Sequence, residues 1–322
     1  MERADPIAGS GEAVLKVRSV CLNHRDMLVL GGTYGAKRDE TRIPLSEGVG
    51  EVVAVGADVT AVKVGDRAVC PHFVTWLDGQ FSPSAFGTDI GITHDGWLAD
   101  YVLVPAAAIV TLPDTVTDLQ AAPLASSALT AWNALVDVAH VKAGDTVLAL
   151  GTGGVSIFAL QIAKAIGARV AITSSSDKKL DIARALGADI TINYRSNPDW
   201  PAELMKATGG AGADIVIEIG GQATLTQSIA AAAVNGRIVI IGALAGAASE
   251  ALPNYGTIIG KNLTLRGIAE GSRAMLADLI RAVAANDIQP VIDRTFPFDE
   301  ARAAYEYLHS GNHVGKVVIT VS

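Results

Sequence analysis

The chain has 322 residues, half of them hydrophobic, with 33 acidic against 25 basic side chains and a formal charge of -8. This length and apolar content suit two domains with separate cores and argue against a disordered chain, while the acidic balance, with no basic run beyond pairs such as Lys178-Lys179, counts against a nucleic-acid partner. Two cysteines are too few for a disulfide framework and the opening Met-Glu-Arg-Ala-Asp carries no apolar signal segment, so a cytoplasmic location without a membrane partner is expected.

Residues 1–116 are rich in glycine, valine and short alternating runs, such as Glu51 to Val55 and Tyr101 to Val104, broken by Gly65-Asp66 and Asp95-Gly96. They read as an irregular β domain. Over 117–269 strands alternate with alanine-rich helices, the strands being Val147 to Leu150, Val170 to Thr173, Ile190 to Asn193, Asp214 to Glu218, Arg237 to Ile241 and Leu263 to Arg266. Strands joined by crossover helices predict an α/β domain with a doubly wound parallel sheet. Its two long uncharged stretches, Thr146 to Ala163 and Ile219 to Gly236, are split by glycine turns and do not read as membrane spans. Residues 270–322 hold helices near Arg273 to Ala285 and Asp299 to Leu308 and a strand from Lys316 to Val321, a tail expected to return to the first domain. A small-molecule cleft is expected where the two domains meet.

Within the second domain, Gly151-Thr152-Gly153-Gly154-Val155-Ser156 follows an apolar strand and opens a helix whose Val155, Phe158, Ala159, Ile162, Ala163 and Ile166 recur at three- and four-residue steps. This is the order a dinucleotide needs. Gly151 permits the tight turn, Gly153 lets the backbone approach a pyrophosphate, and the helix start at Gly154 and Val155 offers free N–H groups. Ser156 stands where such a turn usually has its third glycine.

Taken together, Gly11-Glu-Ala-Val-Leu-Lys-Val, Glu47-Gly-Val-Gly-Glu-Val-Val-Ala-Val-Gly, Val64-Gly-Asp-Arg-Ala and Asp95-Gly-Trp-Leu-Ala-Asp-Tyr resemble the medium-chain dehydrogenase/reductase superfamily over nearly the whole chain. The resemblance implies a GroES-like β domain followed by a Rossmann domain, with homodimers as the family habit. In its zinc alcohol dehydrogenases a cysteine, a histidine and a second cysteine hold the catalytic metal, and here those places hold Asn23, Ser46 and Ser126. Amide and hydroxyl oxygens replace thiolate and imidazole poorly on Zn²⁺, so no metal is expected. What remains resembles the zinc-independent quinone oxidoreductases and enone reductases, which share the Leu-Asn-x-Arg-Asp segment. Asn23, Arg25 and Tyr34 are the candidates for polarising the acceptor oxygen; Asn23 and Asp26 bracing a turn, with Tyr34 a loop aromatic, is the alternative. His72 and His94 lack a partner pattern and read as solvent-facing loop residues. The superfamily also has a strand pair ahead of the strand that starts here at Gly11-Glu12, and its lack would expose a sheet edge.

The second strand of the Rossmann pattern ends in Thr173-Ser174-Ser175-Ser176, without the carboxylate that selects the NAD ribose, which favours NADPH over NADH. Lys179 and Tyr194 match places that hold the 2′-phosphate in NADPH-using quinone oxidoreductases, with Ser174 and Ser175 beside them. The resemblance further places His24, Thr130, Gly220, Ile241, Ala243, Ile268 and Glu270 around the cofactor. The implied activity is NADPH-dependent reduction of quinones or enones by metal-free hydride transfer. Its alternatives are alcohol or aldehyde oxidoreduction and a non-catalytic nucleotide- or RNA-binding role.

Overall fold

The computed structural model describes residues 3–34, 39, 41–242 and 253–321. In chain order the elements are β1 (Glu12–Leu22), α1 (His24–Leu30), β2 (Gly48–Val55), β3 (Arg67–Val69), β4 (Tyr101–Pro105) and β5 (Val110–Thr111), then the short helices α2 (Asp118–Ala121) and α3 (Leu129–Trp132). They continue with β6 (Thr146–Leu150), α4 (Gly154–Ile166), β7 (Arg169–Ser174), α5 (Asp177–Ala185), β8 (Ile190–Asn193), α6 (Trp200–Ala207), β9 (Ala213–Glu218), α7 (Gln222–Ala231) and β10 (Ala232–Ile240). Last come α8 (Tyr255–Gly260), β11 (Thr264–Gly267), α9 (Arg273–Ala285), β12 (Ile292–Pro297), α10 (Ala301–His309) and β13 (Lys316–Thr320). These elements form two compact units, Met1–Leu129 with Glu270–Ser322, and Thr130–Ala269.

The first unit is a sheet in the order β12-β13-β1-β2-β3-β5, with β4 also on β1. β1 is its hub. Its first half pairs with β4 and its second half with β13, both antiparallel, while β2 runs along it. Because neighbours cover β1 so fully, its sequence is almost continuously buried and does not alternate. Leu15, Val17, Val52, Trp97, Val102, Phe296, Leu308, Val317 and Ile319 share one core.

The second unit is a six-stranded sheet in the order β11-β10-β9-β6-β7-β8, every pairing parallel. Burial on both faces accounts for apolar runs such as Thr146–Leu150, in which every residue is buried. The strand order reverses between β6 and β9, which is where open α/β sheets bind ligands at the carboxyl ends of their strands. The six expected strands all form, but β10 begins five residues before Arg237. Its alanines give no strand signal, and pairing jumps from Ala232 with Ala213 to Arg237 with Ile215, so an irregular step carries them into the sheet. Among the described residues no helix is long and apolar enough to cross a membrane.

Candidate active site

At the carboxyl end of β6 the chain turns through Gly151, whose φ of +71° lies in the left-handed region, into Gly153, which caps α4. Gly154 and Val155 begin the helix, so its unpaired N–H groups face the turn. Ser156 is fully buried, and its hydroxyl donates to the Leu150 carbonyl at 2.5 Å. The side chain that replaces the third glycine thus ties the helix to the strand it follows.

Ser174 ends β7, and its Oγ accepts from the Ser176 N–H at 3.3 Å; Ser175 and Lys179 are half-buried and Tyr194 is exposed. Asp177, at the start of α5, accepts from Asn193 Nδ2 at 2.8 Å, so the nearby carboxylate is tied to the end of β8. At the end of β9, Glu218 accepts from the N–H groups of Gly220 and Gly221 at 2.7 and 2.9 Å and from the hydroxyls of Thr224 and Ser228. A fully buried carboxylate with four donors therefore fixes the Gly220 loop, a role the glycines alone did not reveal. The Ile241 N–H donates to the Glu218 carbonyl at 2.9 Å and the Ile268 N–H to the Ile240 carbonyl at 3.0 Å, placing both just past strand ends. Thr130 is buried at the start of this unit. Ala243 lies outside the described residues.

In the first unit Asn23 follows β1 and caps the start of α1. Lys316 Nζ, fully buried, donates to Asn23 Oδ1 at 2.5 Å, Ser127 Oγ at 3.0 Å and Glu47 Oε1 at 3.1 Å. Asn23 Nδ2 donates to Glu47 Oε1 at 2.8 Å, and the Ser127 hydroxyl donates to Asn23 Oδ1 at 2.9 Å. Burial opposes the Lys316 charge, yet its acidic surroundings hold the amine above its ordinary range. Asp26 anchors the knot from below, accepting from the N–H groups of Asn23 at 2.8 Å and Ser46 at 3.1 Å. Both ends of the Asn23 amide are thus committed to bracing. Leu45, just before Ser46 and Glu47, has a φ of +87°, a conformation costly for a branched side chain. It is held there by the Trp97 N–H, which donates to the Leu45 carbonyl at 3.0 Å, and by Gly96, where a Cβ would stand 2.2 Å from the Pro44 carbonyl.

Two residues along α1 a second polar cluster begins. Arg25 Nη2 donates to both oxygens of Asp89 at 2.8 and 2.7 Å, and the guanidinium lies over the Tyr34 ring, 5.2 Å from its centroid. Arg25 Nε and Nη1 are buried with no hydrogen-bond partner among the described residues. Burial pushes Asp89 up to about 6, against the pull of Arg25. Beside this pair His72 Nδ1 stands 2.5 Å from Glu270 Oε1, with both side chains buried. Burial drives His72 well below the usual imidazole range, helped by Arg25, and Glu270 well above the usual carboxylate range.

His72 is therefore not the solvent-facing residue that the sequence led us to expect. The Ile90 N–H donates to its carbonyl at 2.9 Å and its ring packs on Phe73 at 4.3 Å, so the 70–94 loop folds inward and buries it. His94 is only partly buried, with Nδ1 3.1 Å from Thr93 Oγ1. Glu270, placed near the cofactor by sequence, contacts His72 in the first unit. His24 sits on the first turn of α1, where burial, and then His309, lower its pKa.

The zinc positions fail a chemical test. Asn23 Oδ1 already holds an ammonium, Ser46 and Ser126 offer hydroxyls, and among the described residues no group of three His, Cys, Asp or Glu could hold a metal. This donor set does not suit Zn²⁺.

Residues 9–114 match the alcohol dehydrogenase GroES-like domain, and residues 154–285 the family described as zinc-binding dehydrogenase. A zinc-type alcohol dehydrogenase-like protein of Schizosaccharomyces pombe is 43% identical over 97% of this chain and 91% of its own. The acryloyl-coenzyme A reductase of Metallosphaera sedula is 30% identical over 99% and 95%. A crystal structure from Sinorhizobium meliloti, provisionally described as an alcohol dehydrogenase, superposes with a TM-score of 0.93 at 41% identity over 99% of this chain and 93% of that one. A mycobacterial protein complexed with NADPH gives 0.82 at 27% identity over 100% and 94%.

Proposed function

The chain belongs to the medium-chain dehydrogenase/reductase superfamily, and from that premise we propose that it is an NADPH-dependent reductase of quinones or conjugated enones that transfers hydride without a metal. Superfamily members are oxidoreductases that use nicotinamide cofactors; the acceptor class and the choice of NADPH are our reading. The observation that carries it is Arg25, a buried cation beside Tyr34 with two nitrogens, Nε and Nη1, that have no hydrogen-bond partner among the described residues. Such donors stabilise negative charge developing on a carbonyl oxygen, the task a metal performs elsewhere. A conjugated acceptor needs only that help, because the electrons displaced by hydride spread onto its oxygen. The relative that reduces acryloyl-coenzyme A, a conjugated thioester, supports this class. Asn23 acts in this reading as a positioning residue, and Arg25 and Tyr34 as the polarising groups.

For the cofactor, Ser174 and Ser175 leave no carboxylate to repel a 2′-phosphate, Lys179 and Tyr194 are the residues that contact it in this reading, and a relative of the same fold is complexed with NADPH. Gly153 has nothing within 4 Å of where a Cβ would stand, so a side chain there is accommodated by the fold and, in this reading, crowds the pyrophosphate. Gly153→Val is expected to weaken NADPH binding at least tenfold, roughly 1.4 kcal/mol, with an unchanged unfolding temperature; equal affinity by fluorescence titration would remove this loop from the cofactor site.

The reading is tested by incubating chelator-treated protein with NADPH or NADH and a benzoquinone, a naphthoquinone, an enone or an aldehyde, and with NADP⁺ and a primary alcohol, following nicotinamide absorbance. Oxidation of NADPH by quinone or enone, unchanged by chelation, is expected. Activity confined to alcohol or aldehyde and lost on chelation would overturn it, and silence despite NADPH binding would favour a binding protein.

A further inference from the structure

Residues 154–285 match a family described as zinc-binding, yet the three metal positions of this chain carry Asn23, Ser46 and Ser126. One buried side chain, Lys316, reaches the segments that hold all three. We infer that the Lys316 ammonium occupies the place of the catalytic metal, as a resident cation that keeps zinc out and gathers the surrounding oxygens as an ion gathers its ligands. This rests on the metal-free part of the reading above and not on the acceptor.

Lys316 Nζ lies 2.5 Å from Asn23 Oδ1, 3.0 Å from Ser127 Oγ and 3.1 Å from Glu47 Oε1. Asn23 stands in the place of the first cysteine, Glu47 follows Ser46 in the chain and Ser127 follows Ser126. All of them belong to the first unit. The directions of the hydrogen bonds set the charge of the nitrogen they share. The Ser127 hydroxyl spends its hydrogen on Asn23 Oδ1, and Glu47 Oε1 already accepts from Asn23 Nδ2. Nζ therefore donates to all three oxygens, which takes the three N–H bonds of an ammonium, where a neutral amine has two. The side chains of Lys316 and Glu47 are 3% and 0% exposed. A carboxylate so enclosed needs a cation beside it, and the lysine stem supplies one that no chelator can withdraw.

The same contacts shut zinc out. An ion about 2 Å from these three oxygens would collide with Nζ or face it as a like charge with no water between. Cys21, two positions before Asn23, offers no thiolate in compensation, because its Sγ donates to the Val317 carbonyl at 3.3 Å and is thus a thiol. The replacement also changes the chemistry of the place. A metal accepts a lone pair from a substrate oxygen, whereas an ammonium acts on one only through an N–H, and Lys316 has all three committed. It is a positioning residue, and polarisation falls to Arg25, whose Nε and Nη1 have no hydrogen-bond partner among the described residues.

Full-length Lys316→Ala tests this by emptying the place of three methylenes and an ammonium, the shape of n-propylammonium. That cation is expected to raise the folded-to-unfolded ratio of Lys316→Ala in urea about tenfold, and saturably, as a ligand bound by the native state alone does. The uncharged 1-propanol, of the same shape, and sodium chloride at the same ionic strength should leave the ratio unchanged. Wild type, whose place is filled, and Lys316→Ala/Glu47→Gln, which lacks the carboxylate, should not respond to the amine. Where Lys316→Ala does not fold alone, refolding from urea with the same three solutes makes the same comparison, with recovery expected from n-propylammonium only. Wild type equilibrated with Zn²⁺ and desalted should retain far less than one zinc per chain by atomic emission. A Lys316→Ala protein that n-propylammonium helps no more than 1-propanol or salt, or a wild type that keeps about one zinc per chain, overturns the proposal. The amine comparison involves neither cofactor nor acceptor, so it stands or falls apart from the reductase assay.

Discussion

Lys316→Met is expected to cost the protein about 3–5 kcal/mol of stability, the range for removing one member of a buried ion pair. Among the described residues the ammonium is the only cation touching Glu47, whose side chain is 0% exposed and whose Oε2 has no hydrogen-bond partner there. Its removal also strips a donor from Asn23 and Ser127 at once. Methionine fills much of the lysine stem, so the loss reads charge and hydrogen bonds more than volume. Urea and thermal unfolding measure it, and the double variant Lys316→Met/Glu47→Gln should recover a large share by deleting the stranded carboxylate. A loss below about 1 kcal/mol, typical of a surface pair, would mean that water reaches the knot.

The second large effect concerns Arg25. Arg25→Met is expected to lower kcat/KM for quinone or enone about 10²- to 10³-fold, the usual consequence of removing one donor to a developing oxyanion, with NADPH affinity unchanged. Asp89 then loses its partner, but burial already pushes that carboxyl up to about 6. Without the guanidinium it rises further and becomes neutral at working pH, so the fold tolerates the change. Asp89→Asn in the same chain checks that the effect is not a stranded charge. Arg25→Lys should rescue little, because an ammonium lacks the planar set of donors that reaches Asp89 and an acceptor together. Wild-type turnover by Arg25→Met would end the polarising role.

The parts of this molecule that were legible in its sequence are those written locally. The β6 run, Gly151, Gly153 and the apolar stripe of α4 lie within 21 residues, and the strands after them carry their own apolar signature. The last strand was likewise readable as a strand from Lys316 to Val321. The side chains that make the site were harder, since their partners are set by register across the chain. Lys316 was legible only as the start of a strand, and its contact with Asn23 exists only because β13 pairs with β1, Val317 opposite Leu22. His72 and Glu270 are 198 positions apart, and no spacing rule connects them. Glu218 was read as the last residue of a strand, and only the folded loop shows its carboxylate gathering four donors. Ser156 looked like a tolerated departure and instead forms a hydrogen bond that glycine could not.

The split of the first unit across the chain also sets an order of events on the ribosome. Residues 130–269 are contiguous and hold all six strands of their sheet, so that unit can complete while the remainder is still being synthesised. The first 129 residues cannot, for until residues 316–320 emerge β1 lacks the strand that covers residues 19–22. During that interval the nascent chain carries an open strand edge, a natural site for mispairing or for a holding chaperone, and Glu47 waits for the Lys316 countercharge. Arrival of Lys316 closes the edge and neutralises the carboxylate in one step, which makes the last strand the latch of the earliest-made part of the protein.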